Sequence, residues 1–222
     1  MGFHLAQGLL RYIAFLIAIT MYQAAIAIMA KKKGDKSLAT QQLATLNPLP
    51  HIDLIGTVLF PFITILLESP IVFGWPKMHN VQISHFKNIK KDLTIVYSSG
   101  VALNFMIAFI CMIILRYLGG GFFFLNPAMD LSDLNVLFRV FLAIVGFTNL
   151  TLGALFLLPL PGSAGWYIII HNVNYNLSQK LQTHAFWISI AGLILIISGL
   201  LNIYFMIFAN IFQSISMTSI LG

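Results

Sequence analysis

The stretch MYQAAIAIMAKKK, residues 21–33, sets the class of the molecule. It closes an apolar run, Tyr12–Ala30, that carries no charged residue and stops at three lysines. A membrane-spanning helix needs roughly 20 mostly apolar residues. Lysines mark the end of such a helix that stays in the cytoplasm. Two residues sit oddly in this setting. Tyr22 and Gln23 are polar where lipid offers no hydrogen-bond partner.

The rest of the chain agrees with the membrane class. Of its 222 residues 59% are hydrophobic and 8% charged, with a mean hydropathy of +0.92. A soluble domain carries about 25% charged residues. The net charge of +6 does not point to nucleic acid, because the lysines fall in short segments between apolar runs, as cytoplasmic loops do. Cys111 is the single cysteine and lies in an apolar run, so it reads as a small core residue with no intramolecular disulfide.

The apolar runs predict one domain over 1–222, an all-α integral membrane bundle of about four to six membrane helices. The helices are expected at about 8–30, 93–117, 134–160 and 185–212. The first is too long for a cleaved signal and lacks a clear small-residue cleavage site, so it reads as retained. The segment 54–75 is shorter and is flanked by Lys31, Lys32, Lys33 and Lys36 on one side and Lys77, Lys87, Lys90 and Lys91 on the other. A single crossing would put one basic cluster outside, which the positive-inside rule disfavours. A re-entrant hairpin, or half-helices kinked at Pro61, returns the chain to the same side. Non-helical backbone at that depth must be covered by protein or line a cavity. The orientation that follows has the N-terminus outside and residues 31–91 mainly cytoplasmic, with Asp130 and Asp133 in an outer loop. Arg116 and Arg139 near helix ends reach the interface by their long stems.

Three blocks then carry a resemblance. TLNPLPHIDLIGT at Thr45–Thr57, GWPKMHNVQISHFKNIKKDLTIVYSSGVALN at Gly74–Asn104, and TNLTLGALFLLPLPGSAGW at Thr148–Trp166 resemble, in this order, the site-2 protease family of intramembrane zinc metalloproteases, in its compact bacterial branch. The likeness covers most of residues 10–175. In that family the first helix carries His-Glu-x-x-His about twelve residues before a Gly-Asp pair, which is Gly34-Asp35 here. The resemblance therefore places the motif at Tyr22, Gln23 and Ile26, and the third ligand, an aspartate of the family, at Ala164.

The chemistry at those positions needs particular residue types. Two histidines at i and i+4 share a helix face and give zinc two nitrogens. The glutamate beside the first takes a proton from the metal-bound water. Tyr22 is at best a weak phenolate ligand, Gln23 has the shape of glutamate without its basicity, and Ile26 and Ala164 offer no lone pair. The histidines, at 4, 51, 79, 85, 171 and 184, form no His-x-x-x-His. The chain is thus identified as a degenerate member with no catalytic residues and no metal ligands. No cofactor is expected, although zinc is expected in the family. Loss of buried charge is compatible with survival of the fold.

Gln23 and Tyr22 then need partners. Candidates for a residual polar cluster are His51, Asp53, Asn104 and Asn149. His51 and Asp53, with Glu68, also read as substitute ligands, but Asp53 before an apolar run is a natural N-cap. Gly119–Gly121 with three phenylalanines reads as an interfacial loop, and Gly100, Ala102 and Gly146 as small residues that let helices approach. Three functions remain: a binding or scaffold module for a partner transmembrane helix, an intramembrane metalloprotease with a non-standard zinc site, and a structural subunit of a larger membrane complex. The expected partners are membrane lipid and a membrane protein, in a bacterial inner membrane.

Overall fold

The computed structural model of the chain describes residues 2–67, 72–77, 79–119 and 133–217. The expected roles of Glu68, Asp130 and the Gly120–Phe124 part of the outer loop lie outside these residues. The described residues are mainly helical, with no strand among them.

Three helices are long and apolar enough to cross a membrane: α1 (Gly2–Lys33), α4 (Ile89–Tyr117) and α5 (Leu134–Leu157). Between α1 and α4 lie α2 (Leu38–Leu43), a 3₁₀ turn at Leu49–His51, a π-helical turn at Leu54–Leu59 and α3 (Phe60–Leu66). After α5 come α6 (Ala164–Asn172), α7 (Tyr175–Thr183), α8 (Ala185–Ile197) and α9 (Asn202–Met217).

The long helices form the core. α1 and α4 run in opposite directions. The Lys33 ammonium at the end of α1 meets the Asp92 carboxylate at the start of α4 at 2.8 Å. Deeper in the pair, Gly100 allows the close approach: a Cβ there would lie 2.7 Å from the Tyr22 backbone oxygen and Cδ2. α5 closes the triangle, with Phe156 stacked on Tyr22 at 4.1 Å between ring centroids. Two apolar clusters follow one another along this bundle. One gathers Phe15–Ala30, Leu93–Val101 and Leu152–Phe156; the other joins Ala14, Cys111, Leu115, Val140 and Phe212.

The expected helix at 185–212 is two helices. Gly199 takes φ +75°, a left-handed conformation open to glycine and costly for other residues, so the chain turns there. α9 then packs back on α4 and α5, with Phe208 parallel to Phe105 and the Tyr204 hydroxyl donating to the Ala154 carbonyl at 2.9 Å.

The 54–75 segment doubles back on itself. The Trp75 N–H donates to the Gly56 carbonyl at 3.0 Å and the Lys77 N–H to the His51 carbonyl at 2.9 Å. Pro61 stands where the π-helical turn passes into the first turn of α3. The returning strap, residues 72–77, has no regular secondary structure and lies beside α1.

Candidate functional site

The site is built where α1, the strap and the α5–α6 turn meet. A cavity of about 310 Å³ opens there, lined by Tyr22, Gln23 and Ile26 of α1, Phe73–Lys77 of the strap, Tyr97 of α4, Phe156 of α5, and Pro161–Ser163 and Tyr167 around the start of α6. Ser189, Leu193 and Ile196 of α8 complete its wall.

The four positions at which the resemblance expects zinc chemistry, Tyr22, Gln23, Ile26 and Ala164, gather in this region. Tyr22 is buried, and its hydroxyl oxygen lies at the backbone N–H of Ala164. Ala164 is the first residue of α6, which Ser163 caps by accepting from the Trp166 N–H at 3.1 Å. Ile26 packs against Gly100. Their geometry is that of one locus; their atoms are not those of a metal site. Tyr22 brings a ring stacked on Phe156, and Ile26 and Ala164 bring only carbon. The donors here do not fit a zinc ion. Among the described residues no three His, Cys, Asp or Glu side chains converge.

Gln23 shows what its amide does instead. Its Nε2 donates to the Lys77 carbonyl of the strap. Its Oε1 faces His51 Nδ1 at 3.2 Å, and His51 Nε2 faces the Thr45 carbonyl at 3.0 Å. A neutral imidazole has one N–H and donates to one of these oxygens at a time. Burial pushes the His51 imidazole down, with the Thr45 carbonyl acting the other way. Gln23 therefore ties α1 to the strap and to the 45–51 loop. A glutamate could not donate to Lys77.

Of the expected polar cluster, the structure joins only Gln23 and His51. Asp53 caps the π-helical turn, its Oδ1 accepting from the N–H groups of Ile55 at 3.1 Å and Gly56 at 2.6 Å. Asn149 donates to the Val145 carbonyl of its own helix at 2.8 Å, and its Oδ1 has no partner among the described residues. Asn104 is fully buried, and neither its Nδ2 nor its Oδ1 has a partner there.

A second polar group was not expected from the sequence. Asp35, after the lysine cluster, is 1% exposed. Its carboxylate accepts from the Thr40 hydroxyl at 2.6 Å and from the N–H groups of Ser37 at 2.8 Å and Gln82 at 2.9 Å. Burial alone raises its pKa, but these donors outweigh it and hold the carboxyl below the usual range. Thr40 Oγ1 also meets His79 Nε2 at 2.6 Å, and His79 lines the cavity. Burial pushes His79 down, with Asp35 acting the other way. The Asp35-x-Ser37 capping pattern is legible in the sequence; the reach to His79, 39 residues beyond Thr40, is not.

Fold and site together define a membrane-embedded relative of intramembrane metalloproteases whose motif positions hold other residues. The chain belongs to the site-2 protease family of zinc metalloproteases. It is 31% identical over 157 residues to "Putative zinc metalloprotease YwhC" of Bacillus subtilis (strain 168), covering 71% of this chain and 66% of that protein. It is 25% identical over 191 residues to "Putative zinc metalloprotease Rip2" of Mycolicibacterium smegmatis, covering 86% of this chain and 68% of that protein. The matched region thus spans about two thirds of each relative's length. No family model matches the chain. No solved structure matches it.

Proposed function

We propose that the chain is a non-catalytic member of its family, a module of the bacterial inner membrane that holds a segment of a partner's membrane helix in the cavity beside α1. One observation carries this reading: the side chain at the position of the family's general base is an amide that donates to the Lys77 carbonyl. A carboxylamide has no useful basicity, so it cannot take a proton from water at neutral pH. The same bond fixes the strap as one wall of an apolar, aromatic cavity of about 310 Å³. Packing and hydrogen bonds stand at the positions where the resemblance expects hydrolytic chemistry, and a cavity lies beside them.

The partner is a membrane segment because the cavity walls are Phe, Tyr and Trp rings and the α8 residues Leu193 and Ile196. Apolar surface of this kind takes an apolar ligand. The lysines at 31–33, 77, 87, 90 and 91 support the orientation with residues 31–91 in the cytoplasm and the N-terminus outside.

Photocrosslinking tests the proposal. A benzophenone amino acid at Leu193 should form an adduct with a discrete membrane protein in native membranes, and Ser189→Trp, which crowds the same wall, should suppress it. Adducts with lipid alone, or cleavage of a membrane protein that depends on Gln23, would overturn it.

A further inference from the structure

Three of the polar side chains that line the cavity are spoken for by bonds within the protein, while Tyr97, Tyr167 and Lys77 line it too. Gln23 uses both ends of its amide on Lys77 and His51. The Ser163 hydroxyl donates to the Leu158 carbonyl and accepts from Trp166. The Ser189 hydroxyl donates to its own helix at Ala185. His79 differs. One ring nitrogen, Nε2, is bonded to Thr40 at 2.6 Å; the other, Nδ1, has no partner among the described residues.

Proton bookkeeping fixes the ring. Thr40 has one hydroxyl proton and two close neighbours, the Asp35 carboxylate at 2.6 Å and His79 Nε2 at 2.6 Å. An ionised carboxylate only accepts, so the hydroxyl proton goes to Asp35. Thr40 Oγ1 must then accept from His79, and the proton of the neutral imidazole sits on Nε2. Nδ1 is left as a bare lone pair. Asp35 and Thr40 are 1% and 0% exposed, so water does not compete for this chain of bonds.

We propose that His79 Nδ1 is the recognition point of the cavity: it accepts a hydrogen bond from a single N–H or O–H donor set in an otherwise apolar partner segment. Asp35 and Thr40 are positioning residues that hold the tautomer. The inference rests on the binding reading above and adds what the bound segment must carry. An apolar segment with no donor leaves Nδ1 buried and unpaired beneath it, which is costly, so the site discriminates by hydrogen bonding rather than by size.

The test uses the full chain in phosphatidylcholine nanodiscs with ¹⁵N-labelled histidine, His79 being assigned from the signal lost in His79→Asn. The probes are indole and 1-methylindole, which differ by one N–H donor. The expected result is a neutral His79 with Nε2 protonated and Nδ1 bare. Indole should move the Nδ1 resonance and bind about tenfold more tightly than 1-methylindole. Thr40→Val, which keeps the shape but removes the relay, should mix the tautomers and abolish the preference while both probes still bind. His79 with Nδ1 protonated in the unmodified chain overturns the inference. Equal binding of the two probes overturns it too, and leaves the cavity as a binding site. If neither probe binds, the inference and the binding reading fall together.

Discussion

The Gln23 amide and the His51 imidazole, 28 residues apart in the chain, face each other at 3.2 Å between α1 and the loop before the π-helical turn. With the bond from Gln23 to the Lys77 carbonyl, this contact pins two separate parts of the chain between α1 and α4 to one side chain of a long helix.

Removing that tie should be expensive. Gln23→Ala leaves the part-buried Lys77 carbonyl without its side-chain donor and leaves His51 only the Thr45 carbonyl, at about 1–3 kcal/mol for a buried group left unpaired. The strap should loosen first. Thermal unfolding in detergent should show a lower midpoint, and limited trypsin digestion should cut faster after Lys77 and Lys87. Gln23→Glu should be as harmful, because a carboxylate faces a carbonyl oxygen that it cannot bond.

Gly100 is predicted to resist substitution. A Cβ at this position would sit 2.7 Å from two atoms of Tyr22 and 2.9 Å from Ile26 Cγ1. Alanine gains about 1 kcal/mol in helix propensity. Overpacking of a tight core loses about 1–3 kcal/mol, so the net effect should be destabilising. A Gly100→Ala chain that melts higher than the unmodified one would show that α1 and α4 have room to part.

Asn104 should be dispensable for stability. Its amide is fully buried and finds no partner among the described residues. Replacing an unpaired buried polar group by an apolar one of similar size removes a desolvation penalty of about 1–3 kcal/mol. Asn104→Leu should raise the unfolding midpoint; a large fall would reveal a bonded role for this side chain.

Acid should weaken the fold in two steps. His51 and His79 are both held down by burial, so the unfolded chain takes up these protons first and stability falls as pH drops below about 6.5. Asp35 acts lower. Its carboxyl is held below the usual range, so its contribution is complete above about pH 4 and is lost as pH falls through the folded value. The unfolding midpoint should already be lower at about pH 5.5 than at about pH 7.5, with no compensating plateau between. A flat profile over that interval would contradict the burial of both imidazoles.

The spans of α1, α4 and α5 were legible because uninterrupted apolar runs admit few other readings. The break between α8 and α9 was not: residues 185–212 are apolar throughout, and hydropathy does not register the left-handed turn that Gly199 makes. The Asp53 cap followed from its place before an apolar run. The role of Gln23 was half legible. Its burial follows from the need to satisfy a polar group beside lipid, and His51 was one of four candidate partners that polarity alone could not rank. Its other partner is the carbonyl of Lys77, and a main-chain acceptor leaves no mark in the sequence. Asn104 and Asn149 were grouped with it by polarity alone, and the helices turn their amides elsewhere. The Asp35–Thr40–His79 relay depends on where the strap returns, which no local pattern encodes.

The most direct measurement is the zinc content of the purified chain beside that of a variant carrying Tyr22→His, Gln23→Glu, Ile26→His and Ala164→Asp. If the four positions form one locus that has lost its donors, the unmodified chain should hold essentially no zinc and the variant should hold about one ion per chain. About one tightly held zinc in the unmodified chain would contradict this. So would a folded variant that binds none.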